Sequence, residues 1–235
     1  MGYYRQISSY LRTLCLVLII SILLSLGISR GVTVFSENSP PDISHIFVID
    51  PGHGGVDGGA TSVLGVLESQ INLSISQKLN DIMHLLGMHT VMIRAKDVSV
   101  YTEGETIAQK KVSDLKHRAR IANNTPNAIF ISIHQNYFGD SRYQGAQTFY
   151  GADPQSKEFA DLLQQAFRIN TNTNRSAKAA NGVYVMQHVT CPAVLIECGF
   201  ISNYQEAALL QENSYQIKLA SIIATVCNTY LNQSI

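Results

Sequence analysis

The chain has 235 residues, 46% of them apolar and 14% charged, and its 17 Lys and Arg balance 17 Asp and Glu. That length suits one domain with a substantial core, and a neutral, apolar-rich composition excludes a disordered chain or a protein that coats nucleic acid. The balance is uneven, because residues 1–30 hold Arg5, Arg12 and Arg30 and no acid, which leaves residues 31–235 at a formal charge of −3.

From Thr13 to Ser29 the chain runs 17 residues without a charge, rich in Leu, Ile and Val and preceded by Arg5 and Arg12. A basic flank before an apolar run marks a segment inserted with its N-terminus in the cytoplasm. The length fits either a long signal core or a short membrane anchor, so residues 1–30 read as signal peptide or anchor, and both place the remainder outside the cytoplasmic membrane. Residues 31–45 are polar, contain Pro40 and Pro41, and read as a linker. Cys191, Cys198 and Cys227 include no CxxC pair, and Cys191 and Cys198 flank one strand too far apart to bridge. They read as small buried hydrophobes.

After Ile46 short apolar runs alternate with amphipathic stretches, which predicts an α/β domain over 46–235. The strand candidates are 46–50, 90–94, 128–133, 146–150, 182–186 and 193–198. Several are apolar at consecutive positions, as in strands covered on both faces, so the expected sheet is twisted, largely parallel but mixed, of about six strands with helices on both sides. Helical stripes run through Ile71, Ile75, Leu79, Ile82 and Leu86, with Gly87 at the C-cap position, through Phe159, Leu162, Leu163, Ala166 and Phe167, and through Ala220, Ile223, Cys227, Tyr230 and Leu231. Arg118 and Arg120 fall on a further helix, where solvation or structural pairing is the ordinary reading.

Ligands collect beyond the carboxyl ends of strands in open α/β sheets. Three strands end in polar groups: the first runs into Asp50-Pro51-Gly52-His53-Gly54-Gly55, the central one into His134-Gln135-Asn136, and the last carries Glu197. Glu68 opens the helix after the first loop, on the same rim. His, His and one carboxylate can hold Zn²⁺ with a fourth position left for water, whose pKa the metal lowers to ~7. The remaining carboxylate can then move a proton. A phosphate-cradling loop fits less well, because the dinucleotide fingerprint's third glycine is absent and no Lys-Ser or Lys-Thr follows. A glycosidase pair of Glu68 and Glu197 leaves both histidines without work.

The strings DPGHGGVDGGA at 50–60, Glu68 with Asn72, SIHQN at 132–136 and PAVLIECGFISN at 192–203 resemble, in order, the motif set of the zinc-dependent N-acetylmuramoyl-L-alanine amidases. The resemblance implies that His53, Glu68 and His134 are zinc ligands and that Glu197 is the catalytic carboxylate. The substrate it implies is peptidoglycan, at the amide between N-acetylmuramic acid and the L-alanine of the stem peptide. The stretch KKVSDLKHRARIAN at 110–123, GAQTFY at 145–150 and NTNRSAKAANGVYVMQHVT at 172–190 are similar to the germination-specific branch that prepares spore cortex. That likeness implies work at the outer face of the membrane or in the forespore intermembrane space, coupling to a muramic acid deacetylase toward muramic-δ-lactam, and an accessory lipoprotein partner as in some clostridial members. Only 62 residues separate His134 from Glu197, leaving no room for the inhibitory insertion of Gram-negative relatives.

Asn72, Asn136 and His188 are further positions for ligand orientation or substrate contact, although an Asn beside a strand end is as often a turn residue; Arg175 and Lys178 could attract an anionic glycan or peptide carboxylate, but a solvated loop is the ordinary reading of them. Gln135 replaces a residue that is commonly small in the family, which bears on the width or polarity of the cleft. Rival readings are a non-catalytic wall-binding protein of the same fold, which would be expected to have lost a ligand or Glu197, and a polysaccharide deacetylase, which would release acetate.

Overall fold

The computed structural model describes residues 45–233; the leader and all but the last residue of the linker read above lie outside them. Among the described residues six strands form one sheet: β1 (Ile46–Pro51), β2 (His89–Met92), β3 (Ala128–Asn136), β4 (Gln147–Tyr150), β5 (Lys178–Ala179) and β6 (Ala193–Phe200). Their order is β2-β1-β3-β6-β4-β5. All neighbours are parallel except β4, which runs antiparallel to β6, so the sheet is mixed. The helices are α1 (Glu68–Leu85), α2 (Ile107–Asn124), α3 (Pro154–Asn170), α4 (Tyr184–His188), α5 (Tyr204–Leu209) and α6 (Asn213–Gln233). Among the described residues no helix is long and apolar enough to cross a membrane.

The continuous apolar run of β3 reflects its central place, with residues 128–133 all buried and successive side chains leaving opposite faces. Ile129, Ile131 and Ile133 join Ile49, Val194 and Ile196 under α1, α3 and α6, where Ile75, Leu79, Phe159, Leu163 and Ile223 are fully buried. Val48, Phe130 and Leu195 leave the other face and pack with Ala119 and Ala122 of α2 and with Val185 and Met186 of α4. Helix starts are locally specified: Thr106 and Gln109 close a capping box on α2, and Asp153 caps α3 ahead of Pro154. Gly87 ends α1 at φ +78°, the conformation a C-terminal glycine provides.

One predicted strand is wrong. Residues 182–186 form a left-handed turn at Gly182 and then the single helical turn of α4, while the sixth strand is the two-residue β5 just before it. Val185 and Met186, adjacent in sequence, both face the sheet, which a helical turn permits and a strand does not. A short apolar run does not by itself distinguish the two structures.

Candidate metal centre and active site

The polar strand ends meet at the carboxyl rim of β1, β3 and β6. Asp50 pairs with Ser132 in the β1–β3 register, and His134 with Glu197 in the β3–β6 register. The side chains of Ser132, His134 and Glu197 therefore share the sheet face that α2 and α4 cover. Beyond β1 the chain turns sharply, with His53 at φ 60°, a left-handed conformation that costs a non-glycine residue about 1–3 kcal/mol.

Two buried arginines hold that turn by its carbonyls. Arg118 donates from Nη2 to the His53 oxygen at 2.7 Å and from Nη1 to the Pro51 oxygen at 3.0 Å. It also ion-pairs with buried Asp50 and, at 2.5 Å, with Asp114. Arg94 donates from Nε to the Pro51 oxygen and from Nη2 to the oxygens of Gly52 and Ser69, each at 2.9 Å. Burial, helped by the nearby positive charge of Arg118, lowers the Arg94 pKa to about 10, so it remains protonated near neutral pH. Ser132 donates to the second Asp50 oxygen at 2.7 Å, leaving this network anchored on β1, β3, α2 and the strand end of β2.

His53, Glu68 and His134 converge, with one ligand-type atom from each lying within 4.8 Å of the others. Glu68 Oε1 is 3.0 Å from His134 Nδ1 and 3.3 Å from His53 Nε2. Burial opposes ionisation of Glu68, but the hydrogen bonds of His134 and His53 outweigh it and hold the carboxyl well below the usual range. Burial likewise opposes charge on His53, yet Glu68 and Asp57 raise its pKa. Asp57 lies 3.1 Å from His53 Nδ1, so it fixes the ring orientation and presents Nε2 inward.

Glu68 occupies the first turn of α1 without capping it. Its own N–H and that of Ser69 donate to the carbonyls of Ala60 and Gly58, so the incoming loop satisfies the helix and the carboxylate is spared for the site. Asn72, one turn on, donates Nδ2 to Glu68 Oε1 and to the Gly52 oxygen, each at 3.2 Å. Gln135 donates Nε2 to Asn72 Oδ1 at 3.2 Å and its main-chain N–H to Glu68 Oε1 at 3.3 Å. Gln135 thus points away from the cleft that His134 faces; it supports the glutamate and does not set the cleft's width.

Glu197 borders the cleft, yet its Oε2 is sealed from solvent and has no hydrogen-bond partner among the described residues. Burial pushes its carboxyl up to about 7, against the pull of the His134 ring and with the Glu68 charge adding to the push. The cleft measures roughly 210 Å³ and is lined by His53, His134 and Glu197 together with apolar Leu115, Val185 and Met186. A wider hollow of roughly 720 Å³ beside Glu105 and Lys116 includes none of the four site groups.

Two other expected positions lie apart. Asn136 closes β3 with its carbonyl accepting from Ile201, and it does not line the cleft. His188 ends α4, stacks on Tyr184 and accepts at its carbonyl from Asn123. Asn123 and Thr190, which it joins, stand near the amino ends of β3 and β6, opposite the site. The residues that sequence reading missed are Arg94, Asp57 and the inward support of Gln135; Asp57 lay inside the 50–60 motif, but nothing local marked the other two.

Two imidazoles and one carboxylate, oriented by further hydrogen bonds and standing beside a second carboxyl with an unpartnered buried oxygen, fit zinc in a hydrolytic site. The fold and donor set therefore define a single-domain α/β metallohydrolase. Residues 47–228 match the N-acetylmuramoyl-L-alanine amidase family, and the chain belongs to it. It is a peptidoglycan amidase. It is 38% identical to the germination-specific N-acetylmuramoyl-L-alanine amidase of Bacillus subtilis (strain 168), over 79% of each chain. The N-acetylmuramoyl-L-alanine amidase LytC of the same organism is 30% identical over 81% of this chain but only 36% of its own length. The CwlD amidase from Clostridioides difficile, solved in complex with the GerS lipoprotein, superposes with a TM-score of 0.76 at 38% identity, covering 80% of this chain and 98% of that one.

Proposed function

We propose that this chain cleaves the amide between N-acetylmuramic acid and L-alanine with His53, Glu68 and His134 holding zinc and Glu197 as the catalytic carboxylate. The observation that carries the reading is the unpartnered Glu197 Oε2, buried at the wall of the same cleft as both imidazoles. Zinc bound by these three residues supplies a Lewis acid that activates water and polarises the scissile carbonyl. Glu197 takes a proton from the attacking water and delivers it to the departing alanine nitrogen as the C–N bond breaks. A carboxyl pushed up to about 7 suits both halves of that transfer near neutral pH. Asn72 and Asp57 hold Glu68 and His53 in place, and Leu115, Val185 and Met186 contribute apolar lining to the cleft.

The substrate in this reading is spore-cortex peptidoglycan, and removal of the peptide prepares muramic acid for a deacetylase and lactam closure. The likeness to the germination-specific amidase supports it. Basic, then apolar, residues 1–30 support export to the outer face of the cytoplasmic membrane or the forespore intermembrane space. The lipoprotein bound to the similar clostridial amidase supports an accessory lipoprotein partner here. The deciding experiment is mass spectrometry of peptidoglycan digested by the zinc-loaded full-length chain. Release of stem peptides with new L-alanine amino termini is expected; loss of acetyl groups with every muramoyl-peptide link intact would end the reading. Cortex from cells lacking the protein should lack muramic-δ-lactam.

A further inference from the structure

Arg175 is outside the residues that line the cleft and has no ion-pair partner among the described residues. It stands half-buried in the segment between α3 and β5. Its guanidinium is nonetheless fixed. Nε donates to the Gln144 oxygen at 2.8 Å, Nη1 donates to Gln147 Oε1 at 3.2 Å, and Cζ lies 4.4 Å from the centre of the Phe200 ring. Nη2 has no protein acceptor among the described residues. The acid that feels its charge, Glu206, already accepts from the N–H groups of Gly145 and Phe200.

Gln147, which orients the guanidinium, is buried and directly opposite Glu197 across the β4–β6 pair. Directly opposed side chains leave one face of a sheet with Cβ atoms about 5 Å apart. Gln147 therefore links the Arg175 guanidinium to the strand position opposite the catalytic carboxylate. A guanidinium held in place with an open N–H edge is a receptor for a carboxylate. Lys111, which lines the cleft, is by contrast engaged with Asp57 at 3.6 Å.

In the substrate the carboxyl of muramic acid is consumed by the scissile amide, so negative charge near that bond lies on the peptide. An extended peptide advances about 3.5 Å per residue, so the residue after L-alanine carries its carboxylate a short way beyond the scissile amide. We infer that Arg175 is a specificity-determining residue, whose free edge binds the carboxylate of the stem-peptide residue that follows L-alanine. The inference rests on the amidase reading.

The test compares two synthetic N-acetylmuramoyl tripeptides that differ at one group, the second residue being γ-linked D-glutamate or D-isoglutamine. Both are cleaved by the zinc-loaded full-length chain, its Arg175→Gln variant and its Arg175→Lys variant. The wild type is expected to favour the carboxylate substrate by about tenfold in kcat/KM, chiefly through KM. Arg175→Gln should abolish that preference and keep its rate on the carboxamide within about twofold, whereas Arg175→Lys should keep part of it. Equal cleavage of both substrates by the wild type, or an equal loss on both in Arg175→Gln, would overturn the assignment. Failure of the wild type on both would instead overturn the amidase reading, and the assignment with it.

Discussion

Arg118 Nη2 donates to the main-chain oxygen of His53 at 2.7 Å, across 65 residues of sequence, while Nη1 of the same group ion-pairs with buried Asp50. One guanidinium thus holds both the end of β1 and the strained residue that carries the first imidazole. Removing it leaves the Asp50 carboxylate buried without its cation, a loss of about 3–5 kcal/mol. Arg118→Met is expected to lose that much stability in urea denaturation. A competitive zinc titration should also show metal affinity reduced by roughly ten- to a hundredfold. Wild-type stability and metal affinity in this variant would show that the contacts do not govern the turn.

Gly52 places no side chain against the second imidazole, and this is a steric requirement. A Cβ there would lie 2.2 Å from His134 Cε1 and 2.3 Å from Nε2. Because the backbone on each side is tied down by Arg94 and Arg118, the ring is the part that moves. Gly52→Ala is expected to cost about 1–3 kcal/mol, the range for overpacking, and to bind far less zinc by elemental analysis of the folded protein. A fully loaded, active Gly52→Ala protein would contradict the placement of His134.

The legible parts of this molecule were those with local signals. Residues 128–133 announced a central strand because both of their faces are covered, and the polar groups after three apolar runs announced the rim because each strand end is read from its own few residues. Residues 182–186 misled because two adjacent buried residues on one helical turn look like a strand in so short a run. Arg94 and Arg118 carry charges that composition assigns to solvent, yet several of their acceptors are main-chain carbonyls 42 or more residues away. No periodicity encodes such partners. Gln135 looked like a cleft residue because it follows His134, but alternation along β3 sends it to the other face.

That alternation makes Gln135 a remote lever on the metal. Its amide is bound to Asn72, which in turn donates to Glu68. Gln135→Ala leaves Asn72 Oδ1 buried without that donor and frees the asparagine to turn away from the glutamate. Zinc affinity is expected to fall by about tenfold or more, while KM measured at saturating zinc stays at the wild-type value. A raised KM with unchanged zinc affinity would place Gln135 in the cleft after all. Isothermal titration and steady-state kinetics on the same preparation separate the two outcomes.

Glu197 lies opposite His134 in the β3–β6 register but makes no hydrogen bond through Oε2. An unpartnered buried oxygen costs about 1–3 kcal/mol, and this one stands at the wall of the cleft that both imidazoles line. Glu197→Gln keeps the shape and removes the proton carrier. The variant is expected to fold and to bind zinc as the wild type does, because His53, Glu68 and His134 are untouched. Its kcat on peptidoglycan should drop by roughly a hundred- to ten-thousandfold, the range over which a positioned acid–base group contributes. Zinc content, thermal denaturation and peptide release measured together check all three. Substantial activity in Glu197→Gln would reassign the proton transfer to another group, and loss of zinc would make Glu197 part of the metal site.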